Sequence, residues 1–496
     1  MKNRIVAPDE KLRIVMVAAC PFPANHGSPA SIREMSEALV RLGHEVHVVT
    51  YPIQENIPVV GVHIHRVKIP FMRRCEVKVG PSYEKFLFDP LMVLKLWWVI
   101  RRYKIDVIHA HNYEGALVGW LGKLLTGRPM LYNAVNSMAD ELPTYNFIKP
   151  RKLAVWLGTF LDNRVPRTGD FITVVSDALK EFLLSKGVPE RKLAVVPAGV
   201  NLDMFAHGKG QRIRERHGLV GKPLVAYTGT LEQFQRIDYL LQAMQVVLRD
   251  HPEAHLLLVG NIPHKINQAL YTTMAQELGI AHRVSFVNSV SLTELPDYLA
   301  AADVTVVPRP ECPGHPVKLL NYMAAATAVV SFEGGAKGLH HMYNGYLVKD
   351  HDAQALGKGI AFLLEDPALR QALGDHALST IEGNFDWDTL VKGLLIIYRM
   401  MLEGRYDDAM HQTLTQYLRP DYILRFVEQR TRQGAAPLGV TRGQERRQQQ
   451  LPIDFLEQRR VAFVGSTPLP QLHSNIYPMP RDSTAASSGA KSVIVC

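Results

Sequence analysis

The feature that most constrains this chain is an alternation of short buried strands and amphipathic helices that runs once and then starts again. In the first run, strands are expected at Leu12–Ala19, Glu45–Thr50, Val107–Ala110, Met130–Asn133 and Phe171–Val175, with helices at Ser31–Leu42, Gly115–Leu125 and Asp177–Lys186. In the second, strands fall at Leu224–Thr228, His255–Val259, Val284–Val287, Val304–Val307 and Ala328–Ser331, with helices at Ile237–Arg249, Leu270–Leu278, Leu292–Ala301 and Val317–Ala325. Apolar strands separated by helices form parallel sheets covered on both faces. The expected fold class is α/β, with two successive doubly wound Rossmann-like domains. Such domains bind ligands beyond the C-terminal ends of their strands, so an interdomain cleft is the expected site.

A chain of 496 residues exceeds what one core serves, which agrees with two domains. The expected divisions are 1–205 and 206–385, with helix 386–403 packing back onto the first domain. An extra helix is expected within 404–433. Residues 434–496 are rich in Gln, Pro, Ser and Arg, and are expected to be disordered.

The net charge of +9 is modest for this length and comes with no dense basic run, so nucleic acid is not expected as a partner. It suits an anionic ligand, an acidic membrane surface or a plain solvated surface. Cys20, Cys75, Cys312 and Cys496 are scattered without metal spacing or a disulfide framework, which points to a reducing, cytoplasmic setting. Val17–Cys20 mimics a lipoprotein cleavage box, but Asp9, Glu10, Lys11 and Arg13 interrupt the apolar region a signal peptide needs. No run reaches the roughly 20 apolar residues of a spanning helix. The nearest, Phe86–Tyr103, is broken by Asp89, Pro90 and Lys95. Its Trp97, Trp98, Arg101 and Arg102 suit either a lipid interface or a core-packed helix with a basic end.

The stretch Val306–Val330 carries the clearest chemistry. A strand enters a Pro/Gly-rich turn, and a helix opens near Pro316 with Lys318 on its first turn. Free helix N–H groups, the helix dipole and a lysine converge there on one spot, as an anion site requires. Gly314 permits close backbone approach. Lys318 and Asn321, three apart, share a helix face. Arg309 at the strand end is a second cation, and the Gly229-Thr230 amides end the first strand of the second run. His109 and His111 alternate onto one face of their strand, and Asp140 and Glu141 lie in an adjoining loop. Each of these residues also admits a structural reading, as turn glycine, surface charge, helix cap or core histidine.

Four segments taken in order resemble the family-four glycosyltransferases of GT-B fold. They are Pro21–Thr50, Val175–Phe205 (VSDALKEFLLSKGVPERKLAVVPAGVNLDMF), Tyr227–Met244 (YTGTLEQFQRIDYLLQAM) and Leu292–Val330. The resemblance spans roughly residues 12 to 402. It implies transfer of a sugar from a nucleotide-diphosphate donor to an acceptor hydroxyl, with retention of configuration and neither metal nor other cofactor. The departing diphosphate then needs positive charge and preorganised N–H donors.

The resemblance sets the frame in which His111, Arg309 and Lys318 are expected to be catalytic from their own charge and position, with Val135 standing where relatives often place a histidine. It implies donor binding by Gly27, Ser28, Gly229, Thr230, Arg236, Val287, Val290, Gly314, His315, Pro316, Leu319 and Asn321, and acceptor contacts from His109, Asp140 and Glu141. The chain also departs from the family pattern. Thr230 and Gln235 stand where many relatives carry arginine and lysine, and Pro313 and Asn321 stand where they carry paired glutamates. Arg309 and Lys318 are therefore expected to replace the usual clamp. The implied acceptor is a saccharide or lipid-linked saccharide in surface polysaccharide or glycoconjugate synthesis, at the cytoplasmic membrane face with peripheral contact through Phe86–Tyr103. A degenerate GT-B scaffold and a nucleotide-sugar epimerase or hydrolase are the alternatives.

Overall fold

A computed structural model describes residues 6–418, apart from 8, 25–26, 53–56, 69–82, 146–147, 261–264, 289, 312–315 and 337. The chain begins with β1 (Arg13–Ala18), α1 (Gly27–Arg41), β2 (Glu45–Thr50), β3 (His63–Arg66), α2 (Tyr83–Tyr103), β4 (Val107–His111) and α3 (Asn112–Thr126). It continues through β5 (Met130–Ala134), α4 (Met138–Glu141), α5 (Arg151–Arg164), β6 (Phe171–Val174), α6 (Asp177–Ser185) and β7 (Leu193–Val195). These seven strands form one sheet in the order β3-β2-β1-β4-β5-β6-β7, with parallel pairings throughout.

Two short helices follow, α7 (Leu202–Phe205) and α8 (Gly210–Arg216). The second alternation is β8 (Leu224–Thr228), α9 (Ile237–Asp250), β9 (His255–Val259), α10 (Lys265–Glu277), β10 (Val284–Val287), α11 (Leu295–Ala301), β11 (Val304–Val307), α12 (Val317–Ala324), β12 (Ala328–Phe332) and β13 (Tyr346–Val348). Its six strands form a parallel sheet ordered β10-β9-β8-β11-β12-β13. Then come α13 (Ala353–Glu365), α14 (Pro367–Ile381), α15 (Trp387–Glu403) and α16 (Asp408–Tyr417). Of the helix expected over 404–433, residues 408–417 are α16; residues beyond 418, including 434–496, lie outside the described part.

Each sheet is the doubly wound Rossmann type, with its strand order reversing at one point: between β1 and β4 in the first, and between β8 and β11 in the second. Helices leave opposite faces at such a point and open a crevice at the strand C-termini. Buried strands such as β11, whose four residues are all buried, explain the continuous Val-rich runs in the sequence.

The chain passes between the two sheets twice, and the two passages pair. Val200 N donates to Phe385 O at 2.9 Å, and Trp387 N donates to Val200 O at 3.3 Å. Gly199 is needed here, because a Cβ at that position would sit 2.6 Å from the Trp387 ring. Asp386 caps α15 by accepting from Thr389 N, and Gly404 ends it in the left-handed conformation. The helix then lies against α1 and the first sheet. Leu390, Val391, Leu394, Ile397 and Tyr398 are all fully buried, each contributing about 1.5–3 kcal/mol of apolar burial.

Candidate functional site

The reversal point of the second sheet gathers several of the expected residues. Strand β8 ends at Thr228, where Tyr322 of α12 holds the backbone: its buried hydroxyl accepts from Thr228 N at 2.7 Å. Burial pushes the Tyr322 phenol up to about 12, so it remains a neutral clamp. The next residue, Gly229, turns with φ +132°, a conformation that L side chains rarely adopt.

Lys318, on the first turn of α12, reaches this turn. Its Nζ donates to the Tyr227 hydroxyl at 2.5 Å and to Gln235 Oε1 at 2.7 Å, and lies 4.1 Å from the Tyr227 ring centroid. A Cβ added to Gly229 would fall 3.1 Å from that Nζ. Tyr227 in turn donates to Thr230 O at 2.7 Å, which fixes the start of the loop. Arg309, just past β11, stacks on Phe234 of the same loop with 4.9 Å from guanidinium to ring. Burial raises the Tyr227 phenol well above its ordinary value, and the Arg309 charge partly opposes the shift. Two cations from different elements thus border one loop. Gly229, Thr230, Arg309, Lys318 and half-buried Asn321 belong to this neighbourhood, with Pro316 at the head of α12. Gly314 and His315 lie outside the described residues.

Other expected donor contacts are placed elsewhere. Arg236 is turned away into a bidentate pair with Asp238, with bonds of 2.7–3.2 Å, and stacks on Tyr239 at 3.9 Å. Its left-handed backbone, φ 57°, directs it to the first turn of α9 rather than to the loop. Leu319 is fully buried, packed in a core cluster with Leu320, Tyr322 and Met323 of α12, so it does not face a ligand. Val287 and Val290 flank Gly260 through Gly260 N→Val287 O (2.7 Å) and Val290 N→Gly260 O (3.1 Å), at the ends of β9 and β10.

In the first domain, Gly27 and Ser28 are the opening turn of α1 rather than loop residues. Ser28 Oγ donates to Asn112 Oδ1 at 3.4 Å, linking α1 to the turn after β4 across the reversal point. His109 and His111 do share a face, stacked with centroids 4.2 Å apart, but that face is closed. Both are at most 1% exposed. His109 Nδ1 is 2.8 Å from the Tyr398 hydroxyl of α15; His111 is held by Asn133 at 3.2 Å and lies 3.3 Å from Met16 Sδ. Burial lowers both imidazoles, His111 to about 3, so they are neutral core groups. The expected catalytic role of His111 and acceptor contact of His109 are therefore corrected: both side chains are buried, His109 against Tyr398 of α15 and His111 beside Asn133 and Met16.

Asp140 is exposed and Glu141 half-buried on α4. That helix is anchored by a residue the sequence did not single out. Buried Asp162 of α5 accepts from Met138 N (2.8 Å), Ala139 N (3.0 Å), Ser137 Oγ (3.1 Å) and the Tyr113 hydroxyl. A second missed group lies near the ends of β1 and β2. There Tyr51 donates to Asp89 at 2.5 Å, and Lys85 pairs with Glu114 at 2.8 Å. Burial raises Asp89 to about 6. Charged residues this far inside an apolar helix are the signal that would have found them. Among the described residues, no group of three His, Cys, Asp or Glu is placed to hold a metal ion.

The sequence matches the Glycosyltransferase Family 4 description over residues 26–204 and Glycosyl transferases group 1 over residues 210–379. A D-inositol 3-phosphate glycosyltransferase of Thermobispora bispora is 28% identical over 402 residues, covering 76% of this chain and 90% of that protein. An uncharacterized glycosyltransferase of Methanocaldococcus jannaschii is 25% identical, covering 74% and 93%. Among solved structures, sucrose-phosphate synthase of Thermosynechococcus elongatus superposes with TM-score 0.65 at 21% identity, over 79% of this chain and all of that one. The Anabaena protein HepE in complex with UDP-glucose does so with TM-score 0.58 at 16% identity, over 77% and 98%. The chain belongs to the family-four glycosyltransferases of GT-B fold.

Proposed function

We propose that this glycosyltransferase uses a nucleoside-diphosphate sugar as donor and transfers the sugar, with retention, to a saccharide or lipid-linked saccharide. The observation that carries the reading is the position of the Lys318 ammonium, against Gly229 at the reversal point of the second sheet, with Arg309 on the same loop. A diphosphate seated there meets two cations and the Thr230 backbone, which compensate the charge that grows as it departs; the Gly229 N–H, expected as a donor, is bonded instead to Val259 O at 2.9 Å. No metal or other cofactor enters the reading. The similar Anabaena protein HepE, solved in complex with UDP-glucose, supports the same donor class.

In the step itself, the acceptor oxygen bonds to the anomeric carbon on the face the phosphate leaves. The carbon–oxygen bond to phosphate breaks, and the departing phosphate oxygen takes the acceptor proton. Asn321, three residues beyond Lys318, is assigned to a ribose hydroxyl, since its amide both donates and accepts. The acceptor side is assigned to the first domain, near Asp140 and Glu141, at the cytoplasmic face of a membrane in surface glycoconjugate synthesis.

The test is a panel of nucleoside diphosphates and their sugars screened for thermal stabilisation, with Lys318→Ala as comparison. Stabilisation of the native chain, lost in the variant, is the expected result. No affinity at millimolar nucleotide sinks the proposal. Binding without transfer to any acceptor extract identifies a scaffold, and sugar released to water identifies a hydrolase.

A further inference from the structure

Four of the chain's five tryptophans are on the outside of the protein. Trp97, Trp98, Trp120 and Trp156 are 41%, 44%, 37% and 64% exposed, whereas Trp387 is 2% exposed. All four belong to α2, α3 and α5. The helices α2 and α3 pack on each other over one face of the first sheet, and α5 joins α3 through the Tyr113–Asp162 hydrogen bond.

Each helix buries one apolar stripe and displays another. In α2, Phe88, Met92, Leu96 and Val99 face the sheet, while Leu94, Trp97 and Trp98 face outward. In α3 the outward stripe is Leu117, Trp120, Leu121 and Leu124, at the i, i+3, i+4, i+7 spacing of one helical face. Helices that are apolar all round belong inside a core or against lipid. No helix among the described residues is long and apolar enough to cross a membrane, so this surface suits lying on one.

Charge selects the occupant. The described acidic side chains of these helices are engaged inward: Asp89 with Tyr51, Glu114 with Lys85, and Asp162 with α4. The outward charges are cations set beside the aromatic rings. Lys95 is 5.2 Å from the Trp98 ring, Arg101 is 5.8 Å from Trp97 and Arg164 is 5.5 Å from Phe160. Indoles with adjoining cations match the headgroup level of a bilayer containing acidic lipids. An isologous contact between two copies would set these cations against themselves. Beside α2, a groove of about 330 Å³ walled by Val67, Leu91, Leu94 and Trp98 carries Lys68 and Lys95. An apolar slot with a cationic rim is complementary to an anionic amphiphile.

We infer that the outer face of α2 and α3, extended by α5, is a docking surface for a bilayer of anionic phospholipid. The inference rests on the proposed function only in explaining why a lipid-linked acceptor would be within reach. Vesicle binding is measured without donor or acceptor, so its failure leaves the transferase reading standing, and absence of nucleotide binding leaves the docking face standing.

The full chain is mixed with vesicles of phosphatidylcholine containing one quarter phosphatidylglycerol, or of phosphatidylcholine alone. Co-sedimentation and intrinsic fluorescence are the readouts, the latter dominated by the four exposed indoles. Binding to the anionic vesicles, a blue shift, and weakening at high salt are expected. Trp97→Ser/Trp98→Ser and Arg101→Glu/Arg102→Glu should each weaken partition roughly tenfold or more, with unchanged circular dichroism. A chain that stays in the supernatant overturns the inference, as does equal binding to both vesicle types. So does a self-associating chain whose dimer, rather than vesicle binding, is lost in the tryptophan variant; that result identifies a second copy as the occupant.

Discussion

The Lys318 ammonium donates to the side-chain oxygen of Gln235 at 2.7 Å, joining the first turn of α12 to the loop that follows β8. By the resemblance to family-four glycosyltransferases, Gln235 occupies a position expected to hold a lysine. A second ammonium at that point would repel Lys318, whereas a neutral amide oxygen accepts its hydrogen bond and holds it beside Gly229. Two residues 83 apart in sequence thus meet in one hydrogen bond.

Replacing Lys318 with methionine keeps the apolar stem and removes the charge. Nucleoside-diphosphate affinity is expected to fall by roughly 10- to 100-fold, the worth of one or two charge-assisted hydrogen bonds. Titration calorimetry at low and high salt checks this. The wild type should lose affinity with salt more steeply than the variant.

Gly229→Ala places a methyl group at φ +132° and 3.1 Å from Lys318 Nζ. The backbone strain alone costs about 1–3 kcal/mol. Lower thermal stability together with weaker nucleotide binding is expected. A variant with both properties intact would show that this turn is not the diphosphate cradle.

Glu34 of α1 accepts from the Trp387 indole N–H at 2.8 Å, where α15 returns to the first domain. Burial is the main reason its carboxyl rises to about 7, with the Trp387 bond and Arg33 opposing. A raised carboxyl favours the folded state when protonated, so stability is lost as pH climbs from about 4.5 through 7. Glu34→Gln keeps an acceptor for Trp387 without the charge. It should be more stable than wild type at pH 8 by up to about 3 kcal/mol, with the difference vanishing near pH 4.5. Denaturant melts at the two pH values decide it.

His109 and His111 carry the opposite sign. Burial holds both below the ordinary 6.5, so the unfolded chain takes up protons first as pH falls. Folding stability should therefore drop from about pH 6.5 downward, by on the order of 3 kcal/mol per pH unit for the pair, until His111 itself titrates near 3. Measuring this in the Glu34→Gln background removes the opposing carboxylate. A flat profile between pH 6.5 and 4.5 would contradict the burial of the pair.

Asp162→Ala strips the buried acceptor shared by Met138 N, Ala139 N and Ser137 Oγ. Leaving those donors unpaired should cost roughly 2–4 kcal/mol. Hydrogen exchange should show α4 and its loop losing protection first, since no other described carboxylate anchors the start of that helix.

Sequence alone located every inner strand, such as β1, β8 and β11, whose unbroken apolar runs state burial on both faces, and one edge strand, β10. The short edge strands β3, β7 and β13 were missed, since three or four residues at a sheet edge carry little periodicity. At the site, Lys318 was legible because a lysine on the first turn of a helix is a local arrangement. Its partners Tyr227 and Gln235, 91 and 83 residues away, were not. His111 was misread for the same reason. Alternation along β4 gives the face a side chain takes, but not that this face is closed, by α15 over His109 nearly 290 residues later and by Met16 and Asn133 around His111.

Local chemistry, then, determined the two doubly wound sheets, the helix carrying Lys318 and the absence from that helix of its family's glutamate at Asn321. Tertiary structure decided which charges are available. Arg236 is spent on Asp238, Arg309 is stacked on Phe234, and Lys318 is delivered to Gly229. Spacing along a chain sets which way a side chain leaves its own element. Only the packing of remote elements sets what it meets there, and so whether a cation faces a partner, a core or a ligand.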